Sequence, residues 1–266
     1  ATGLACALMI YLWVHDELQV DKFHEHQARL YQVMENQTQD NGILTHEATP
    51  DLLAETMEEE LPEVELATSV TPSSWFGNFS LVTDDQQHIK ATGQFASPDF
   101  FRVFSFPLMQ GNEKQVLTGL QDVVISASLA QKLFGTTEDV IGKRITWQLL
   151  NFEKSAVVSG LFQDIPANST MQFDLVLSYE AWKVLGRETN RNMNWDNHGP
   201  ETYLVLEEGT DISNFNRKIE GYIKEKLERS NVSLFATPYA ERYLHGKYEN
   251  GQRAGGRIDY VIMLSF

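Results

Sequence analysis

Hydrophobic and polar positions along this chain follow two periods, and the changes between them mark its elements. Arg29-Leu30-Tyr31-Gln32-Val33-Met34 is short and Tyr/Val-bearing, and it predicts a strand. Thr49, Pro50 and Asp51 then offer an N-cap, a proline for the first helical position and an acid for the dipole's positive end. Leu53, Met57 and Leu61 recur four apart until Pro62. They predict a helix over 50–61 with Glu58-Glu59-Glu60 on its solvated face. From Glu65 to Gln110 the pattern is β-like and aromatic, with turn signals at Thr71-Pro72, Gly77-Asn78 and Asp84-Asp85.

A second unit repeats the alternation. Val123-Val124-Ile125 is a buried-type strand running into Ser126 as an N-cap. Leu129, Leu133 and Phe134 form the helix's apolar face and Gly135 stops it. Ile145 to Leu161 reads as a hairpin, Ile165–Asn168 as a turn, and Phe173 to Leu177 as a strand. Gly186 to Pro200 is polar and Asn-rich, which predicts a loop before a strand at Tyr203–Leu206. Asp211 caps a long predicted helix, 211–228, on which Ile212, Phe215, Ile219, Tyr222 and Ile223 share one stripe.

The two ends are apolar. Leu4 to Val14 is hydrophobic apart from small residues and turns acidic at His15-Asp16-Glu17, and the chain closes on Tyr260–Phe266. As a helix at ~1.5 Å per residue, the opening run covers roughly 21 Å, short of a ~30 Å hydrocarbon core. Segments of this kind are seldom exposed by a soluble domain. They read as two truncated transmembrane helices, the alternative being a buried N-terminal helix and a C-terminal core strand. The lack of Lys or Arg between Val14 and Lys22 favours an extracytoplasmic side for residue 15 onward, while Arg253 and Arg257 pull the other way.

Composition narrows the chemistry. The chain has 266 residues, 42% apolar and 22% charged, enough for a sizeable core. Lys+Arg number 21 against 37 Asp+Glu, a net charge of −16, which is the wrong sign for a nucleic-acid partner. The single cysteine, Cys6, excludes an internal disulfide framework and multi-cysteine metal sites. It lies in an apolar run and reads as a buried or lipid-facing thiol rather than a nucleophile.

Gly142-Lys143 after Gly135 imitates a phosphate loop, but the spacing is too long and Arg144 stands where the magnesium-binding hydroxyl is needed. A turn between helix and strand is the better reading. His24-Glu25-His26 and His46-Glu47 lack the second histidine that a zinc-protease helix requires, and they read as surface or packing residues. Asn194-Trp195-Asp196-Asn197-His198 is either an Asx-rich turn or a contact surface. Ser73, Ser74, Ser126 and Ser128 lack a nucleophile elbow. Asn36, Asn78, Asn168 and Asn231 head glycosylation-type triplets that carry no weight by themselves. The residues define an acidic α/β domain flanked by apolar ends, with no catalytic, cofactor-binding or metal-binding constellation.

Several blocks carry a resemblance. Gly3 to Val33 resembles the first transmembrane helix and exit of MacB/FtsX-like ABC transporter permeases, above all their Bacteroidetes group. The group's Y-D-x-F-H-x-x-A-x-R-I-Y-x-V pattern stands here as Val20-Asp21-Lys22-Phe23-His24 and Gln27-Ala28-Arg29-Leu30-Tyr31-Gln32-Val33. Val20 replaces the usual tyrosine and the alanine sits one place late. Ser97–Gly111, Val123–Lys143 and Ser159–Ser178 are similar to further family blocks, and residues 255–266 resemble the entry to the second membrane helix.

The resemblance implies a MacB-like periplasmic core domain of α+β class. A porter-like α/β subdomain (18–66 and 200–250) would carry an inserted β-rich, sabre-like subdomain (67–199). Residues 1–17 would end the first transmembrane helix and 251–266 begin the second. It implies a non-catalytic domain of an inner-membrane permease, periplasmic in location, without cofactors. The partners implied are a cytoplasmic ABC ATPase subunit, a second permease copy (homodimer or heterodimer), the lipid bilayer, and an envelope adaptor or exported substrate. Transport with mechanotransmission, or a binding, sensing or scaffold role without transport, are the two functional classes that remain. An exported enzyme is a distant third. Substrate contacts stay open, because Phe100-Phe101 and Phe104–Phe106 read as core and subdomain packing.

Overall fold

The computed structural model describes residues 2–83 and 88–264; the Asp84-Asp85 turn signal lies outside them. The chain begins with helix α1 (Thr2–Leu18), then strands β1 (Leu30–Gln39), β2 (Gly42–His46) and β3 (Ala48–Pro50), helix α2 (Leu53–Glu60) and strand β4 (Val64–Thr71). Next come β5 (Asn78–Thr83), β6 (His88–Ala96), α3 (Phe100–Phe104), β7 (Leu108–Gln110), β8 (Asp122–Ser126), α4 (Ala127–Phe134), β9 (Arg144–Leu149), β10 (Phe152–Phe162), β11 (Leu175–Ser178) and α5 (Tyr179–Glu188). The last part is β12 (His198–Leu206), α6 (Ile212–Ile219), α7 (Tyr222–Lys226), β13 (Val232–Pro238), α8 (Tyr239–His245), the short pair β14 (Tyr248–Glu249) and β15 (Gln252–Arg253), and α9 (Ile258–Leu264). The mixed α+β class read from the sequence holds.

Strands β4-β12-β1-β13 form an open sheet in which every neighbour is antiparallel. In that order β1-α2-β4 and β12-α6/α7-β13 are two interleaved split β-α-β units. Their helices share one face: Leu53 and Met57 of α2 meet Phe215 and Ile219 of α6 and Tyr222 and Ile223 of α7 over Val33, Ala67 and Leu204.

Between β4 and β12 the chain leaves this sheet and builds another. Its pairing runs β6-β5-β9-β10-β8-β11 and returns to β6, a closed six-stranded barrel of mixed direction. Closure removes the free edges that an open sheet exposes. Phe79, Phe95, Trp147, Leu175 and Leu177 fill the interior. Gly93 also faces inward, where a Cβ would stand 2.9 Å from Phe79 and from Leu175, so only glycine fits there. The barrel and the open sheet join at Val70–Ala96 and Thr71–Phe95. They also share a buried aromatic layer: Phe100, Phe101, Phe104 and Phe106 pack between Val124, Phe162, Phe173 and Val176 of one and Leu66, Tyr203 and Val205 of the other.

Several local expectations hold. Ser126 accepts the Leu129 N–H at 3.1 Å, and α4 ends at Gly135 with φ +68°. Asp211 accepts the Asn214 N–H at 2.7 Å. The hairpin at 145–161 is β9–β10. Others need correction. Thr49 and Pro50 do not open a helix but form β3, where Thr49 Oγ1 donates to Pro200 O at 2.9 Å. Asp51 is taken by Arg191 at 2.9 Å, and α2 starts at Leu53 without a side-chain cap. The acidic run of α2 is only partly solvated, since Glu58 accepts the Ala67 N–H and Glu60 pairs with Lys226 and Tyr222. The long helix at 211–228 is broken at Glu220-Gly221, because Leu234 N–H takes the Glu220 carbonyl that a continuing helix would use. The loop at 186–200 is narrowed by α5 and β12, and the β-like 65–110 stretch contains α3.

At the ends, α1 and α9 are both helices with outward apolar side chains, among them Leu8, Tyr11, Tyr260 and Met263. This excludes the buried helix and core strand as an alternative. Cys6 is exposed on α1 rather than buried. Among the described residues, no helix is long and apolar enough to cross a membrane.

Candidate functional site

A dense polar network lies where the chain leaves α1. Asp21 adopts φ +57°, the left-handed region that aspartate tolerates better than most residues, and it is 1% exposed. Its carboxylate accepts the Thr170 N–H at 2.8 Å and the Thr170 hydroxyl. Its own N–H donates to Asn168 O at 2.9 Å, and Asn168 Nδ2 reaches back to Gln19 O at 3.3 Å. Hydrogen bonds to a charged group contribute about 1.5–3 kcal/mol each. Leaving a buried acceptor without its partner costs about 1–3 kcal/mol. This four-point clamp therefore fastens the exit of α1 to the loop before β11.

His24 sits beside the clamp. Its ring packs 5.4–5.5 Å from those of Phe104, Phe106 and Tyr239, and Nδ1–H donates to Phe104 O. Burial holds its pKa below the usual imidazole value, so the ring is neutral and serves packing.

On the outer side of α1, Glu17 meets α9. Arg257 Nη2 donates to Glu17 Oε1 at 2.9 Å, Tyr243 of α8 donates to Glu17 Oε2 at 2.8 Å, and the guanidinium lies 4.9 Å over the Tyr243 ring. Helix α8 packs on β1 and β13, and Arg253 donates to Thr237 of β13 at 2.7 Å. The segment preceding α9 is thus fastened to the open sheet. The Arg257 side chain is 47% exposed and that of Glu17 is 8% exposed, so the bidentate pair joins a half-solvated guanidinium to a buried carboxylate.

A cleft of about 280 Å³ lies between the two anchors. Thr170, Met171, Gln94 and Trp75 line the barrel side, and Glu47, Glu201 and Arg242 the sheet side. Arg242 donates to Tyr203 Oη and to Glu47, both at 3.0 Å, and lies 3.6 Å from Glu201. Burial pushes Glu201 up to about 7, with Arg242 opposing it. A wider polar groove of about 590 Å³ runs between Glu25-His26, α3 and residues 105–114.

The motifs read from the sequence fall elsewhere. Gly142-Lys143 forms the turn into β9, with Gly142 N–H on Val158 O at 2.8 Å. Asn194 Oδ1 accepts the N–H groups of Asp196 and Asn197 at 2.8 and 2.7 Å, the Asx turn. Ser73 Oγ donates to Gln172 O, and Ser128 caps onto Asp164. His46 and His198 both approach Glu35, at 3.6 and 2.7 Å, a meeting of three strands that spacing alone did not reveal. Among the described residues, no group of three His, Cys, Asp or Glu is arranged to hold a metal. Asp21 and Thr170 were also unread as a pair. A retrospective signal exists, because they sit in two of the blocks that carry the family resemblance.

A split β-α-β sheet with a barrel inserted between its halves, and with both end helices meeting on one side, defines the fold class. The comparisons add the family. The model of the MacB-like periplasmic core domain matches residues 1–222, and the chain belongs to that family, the periplasmic core domain of ABC transporter permeases. Among solved structures it is similar to a permease-protein domain from Porphyromonas gingivalis, with 24% identity and TM-score 0.65 over 81% of this chain and 93% of that one. It is also similar to the periplasmic region of MacB from Actinobacillus actinomycetemcomitans, with 15% identity and TM-score 0.53 over 79% and 89%. At these identities the likeness establishes the fold. No curated protein matches the chain significantly.

Proposed function

We propose that this domain couples ATP hydrolysis in a cytoplasmic ABC ATPase subunit to conformational change in the periplasm, and through it to substrate export. The observation that supports this most is the meeting of α1 and α9 through Glu17, Arg257 and Tyr243. Two helices with uncovered apolar faces leave one side of the domain together, the arrangement expected of the extracytoplasmic ends of two membrane helices in the inner membrane. The porter-like part is then residues 18–66 and 200–250, and the sabre-like part 67–199, a division supported by the split sheet and the closed barrel. The domain acts without catalysis, by binding and by moving with its helices, in a permease homodimer or heterodimer. An envelope adaptor or the exported substrate engages its periplasmic face.

The test is a spin label at Glu59, exposed on α2, in the reconstituted full-length permease with its ATPase. The distance between paired copies changes when ATP binds. An unchanged distribution with ATPase activity intact would favour the sensing or scaffold role instead.

A further inference from the structure

We propose that Asp21 is the positioning residue that passes movement of α1 to the barrel, so that shifting α1 against α9 opens or closes the cleft between Thr170-Met171 and Glu201-Arg242. This rests on the coupling function proposed above and adds where the motion goes. The two end helices are fastened differently: α1 is held by the barrel through Asp21 and also meets the sheet side where Tyr243 of α8 donates to Glu17, whereas the segment before α9 is held on the sheet side. The exit of α1 is held by Thr170 and Asn168, and Thr170 and Met171 line the barrel wall of the cleft. The segment leading into α9 is held by Tyr243 of α8 and Thr237 of β13, and α8 also carries Arg242 of the opposite wall.

The links also differ in strength. Asp21 is 1% exposed and its carboxylate has a backbone and a hydroxyl donor, so water does not compete for it. Glu17 is itself 8% exposed and takes two bonds from Arg257 and one from Tyr243, but the guanidinium is 47% exposed, so water and salt reach that side of the pair. For each helix to keep its own wall, the Glu17 contacts with Arg257 and Tyr243 are the ones that yield, and Asp21 is the one that holds. Beneath Thr170, its Oγ1 and Tyr239 Oη of α8 stand 3.4 Å apart, long for two hydroxyls. The aromatic layer around Phe100 and Phe104 remains packed and serves as the pivot.

The experiment uses the full-length permease with its ATPase and with the exposed Cys6 replaced by serine. Label pairs at Glu59 and at Leu150, which is 89% exposed beside the β9–β10 turn, report the distance from sheet to barrel within one copy. Labels at Glu59 alone report the distance between copies. In the parent protein, nucleotide shifts both distributions. Asp21→Gly keeps the left-handed backbone but deletes the carboxylate, and Thr170→Val deletes the hydroxyl but keeps the N–H bond. Both variants retain the shift between copies and diminish the shift within a copy, Asp21→Gly more than Thr170→Val, which keeps the N–H bond. Melting curves confirm folding, and Thr170→Val decides if Asp21→Gly does not fold. A shift between copies without one inside the parent copy overturns the proposal, as does an undiminished internal shift in the folded variants. No shift between copies would overturn the coupling function and this inference with it.

Discussion

Glu35 has no exposed side-chain surface, and its ion-pair partners are imidazoles. Burial raises its pKa, and the hydrogen bond from His198 opposes that rise. The hydrogen bond to Glu35 in turn raises His198, against its own burial. Both folded values lie above the unfolded ones of 4.5 and 6.5. A group raised in this way holds its stabilisation below the unfolded pKa and loses it as pH climbs through the folded value. The contribution of this pair is therefore expected to fade as pH rises, against the opposite trend of His24, whose pKa burial lowers. Glu35→Gln removes one raised group and the partner that chiefly raises the other, so urea unfolding at several pH values should show a profile that falls less with rising pH than that of the parent. A parallel profile would remove this pair from the pH response. Gly93 supplies a second residue-scale expectation. Alanine there presses a methyl group against Phe79 and Leu175 and should destabilise by about 1–3 kcal/mol, read as a drop in the urea midpoint.

Elements show where local rules suffice and where tertiary partners override them. Ser126, Gly135 and Asp211 behave as caps because their neighbours leave them free to do so. Thr49 carries the same capping signal, but β12 lies alongside and claims its hydroxyl through Pro200 and Thr202. The edge strand β13 is protected in a way the sequence hides. Asn216 of α6 donates to Ala236 O at 3.1 Å and accepts its N–H at 2.7 Å, satisfying the outer edge of the strand. Asn216→Ala should cost about 1–3 kcal/mol, and hydrogen exchange at Ala236 should accelerate. Protection equal to that of the parent would assign the edge to other groups. The clamp was illegible for a related reason. Asp21 and Thr170 are 149 residues apart, and the separation of two polar residues carries no information about their contact. Helices α5 and α8 carry no clear apolar period in sequence: α5 buries Tyr179, Ala181, Leu185 and Gly186, and the seven-residue α8 buries only Tyr239 and Leu244.

At the scale of the molecule, the aromatic layer makes the barrel and the sheet thermodynamically dependent on one another. Phe104 has no exposed surface and its ring contacts those of Phe100, Tyr203 and Tyr239. Phe104→Ala is expected to cost about 3–5 kcal/mol, and fluorescence of Trp147 in the barrel should report the same lowered transition as circular dichroism of the whole. Separate transitions would show that the layer does not couple the two bodies.

The point of insertion has an evolutionary reading. Strands β4 and β12, which flank the barrel, are hydrogen-bonded neighbours with Val70 opposite Glu201, so the excursion of the chain begins and ends at one place. Residues on either side of that gap can be joined by a tight turn without rethreading a single strand of the sheet. The barrel is thus seated as a cassette on the β4–β12 frame, yet it brings Thr170 and Asn168 with it, so exchanging the insert would also exchange the grip on α1.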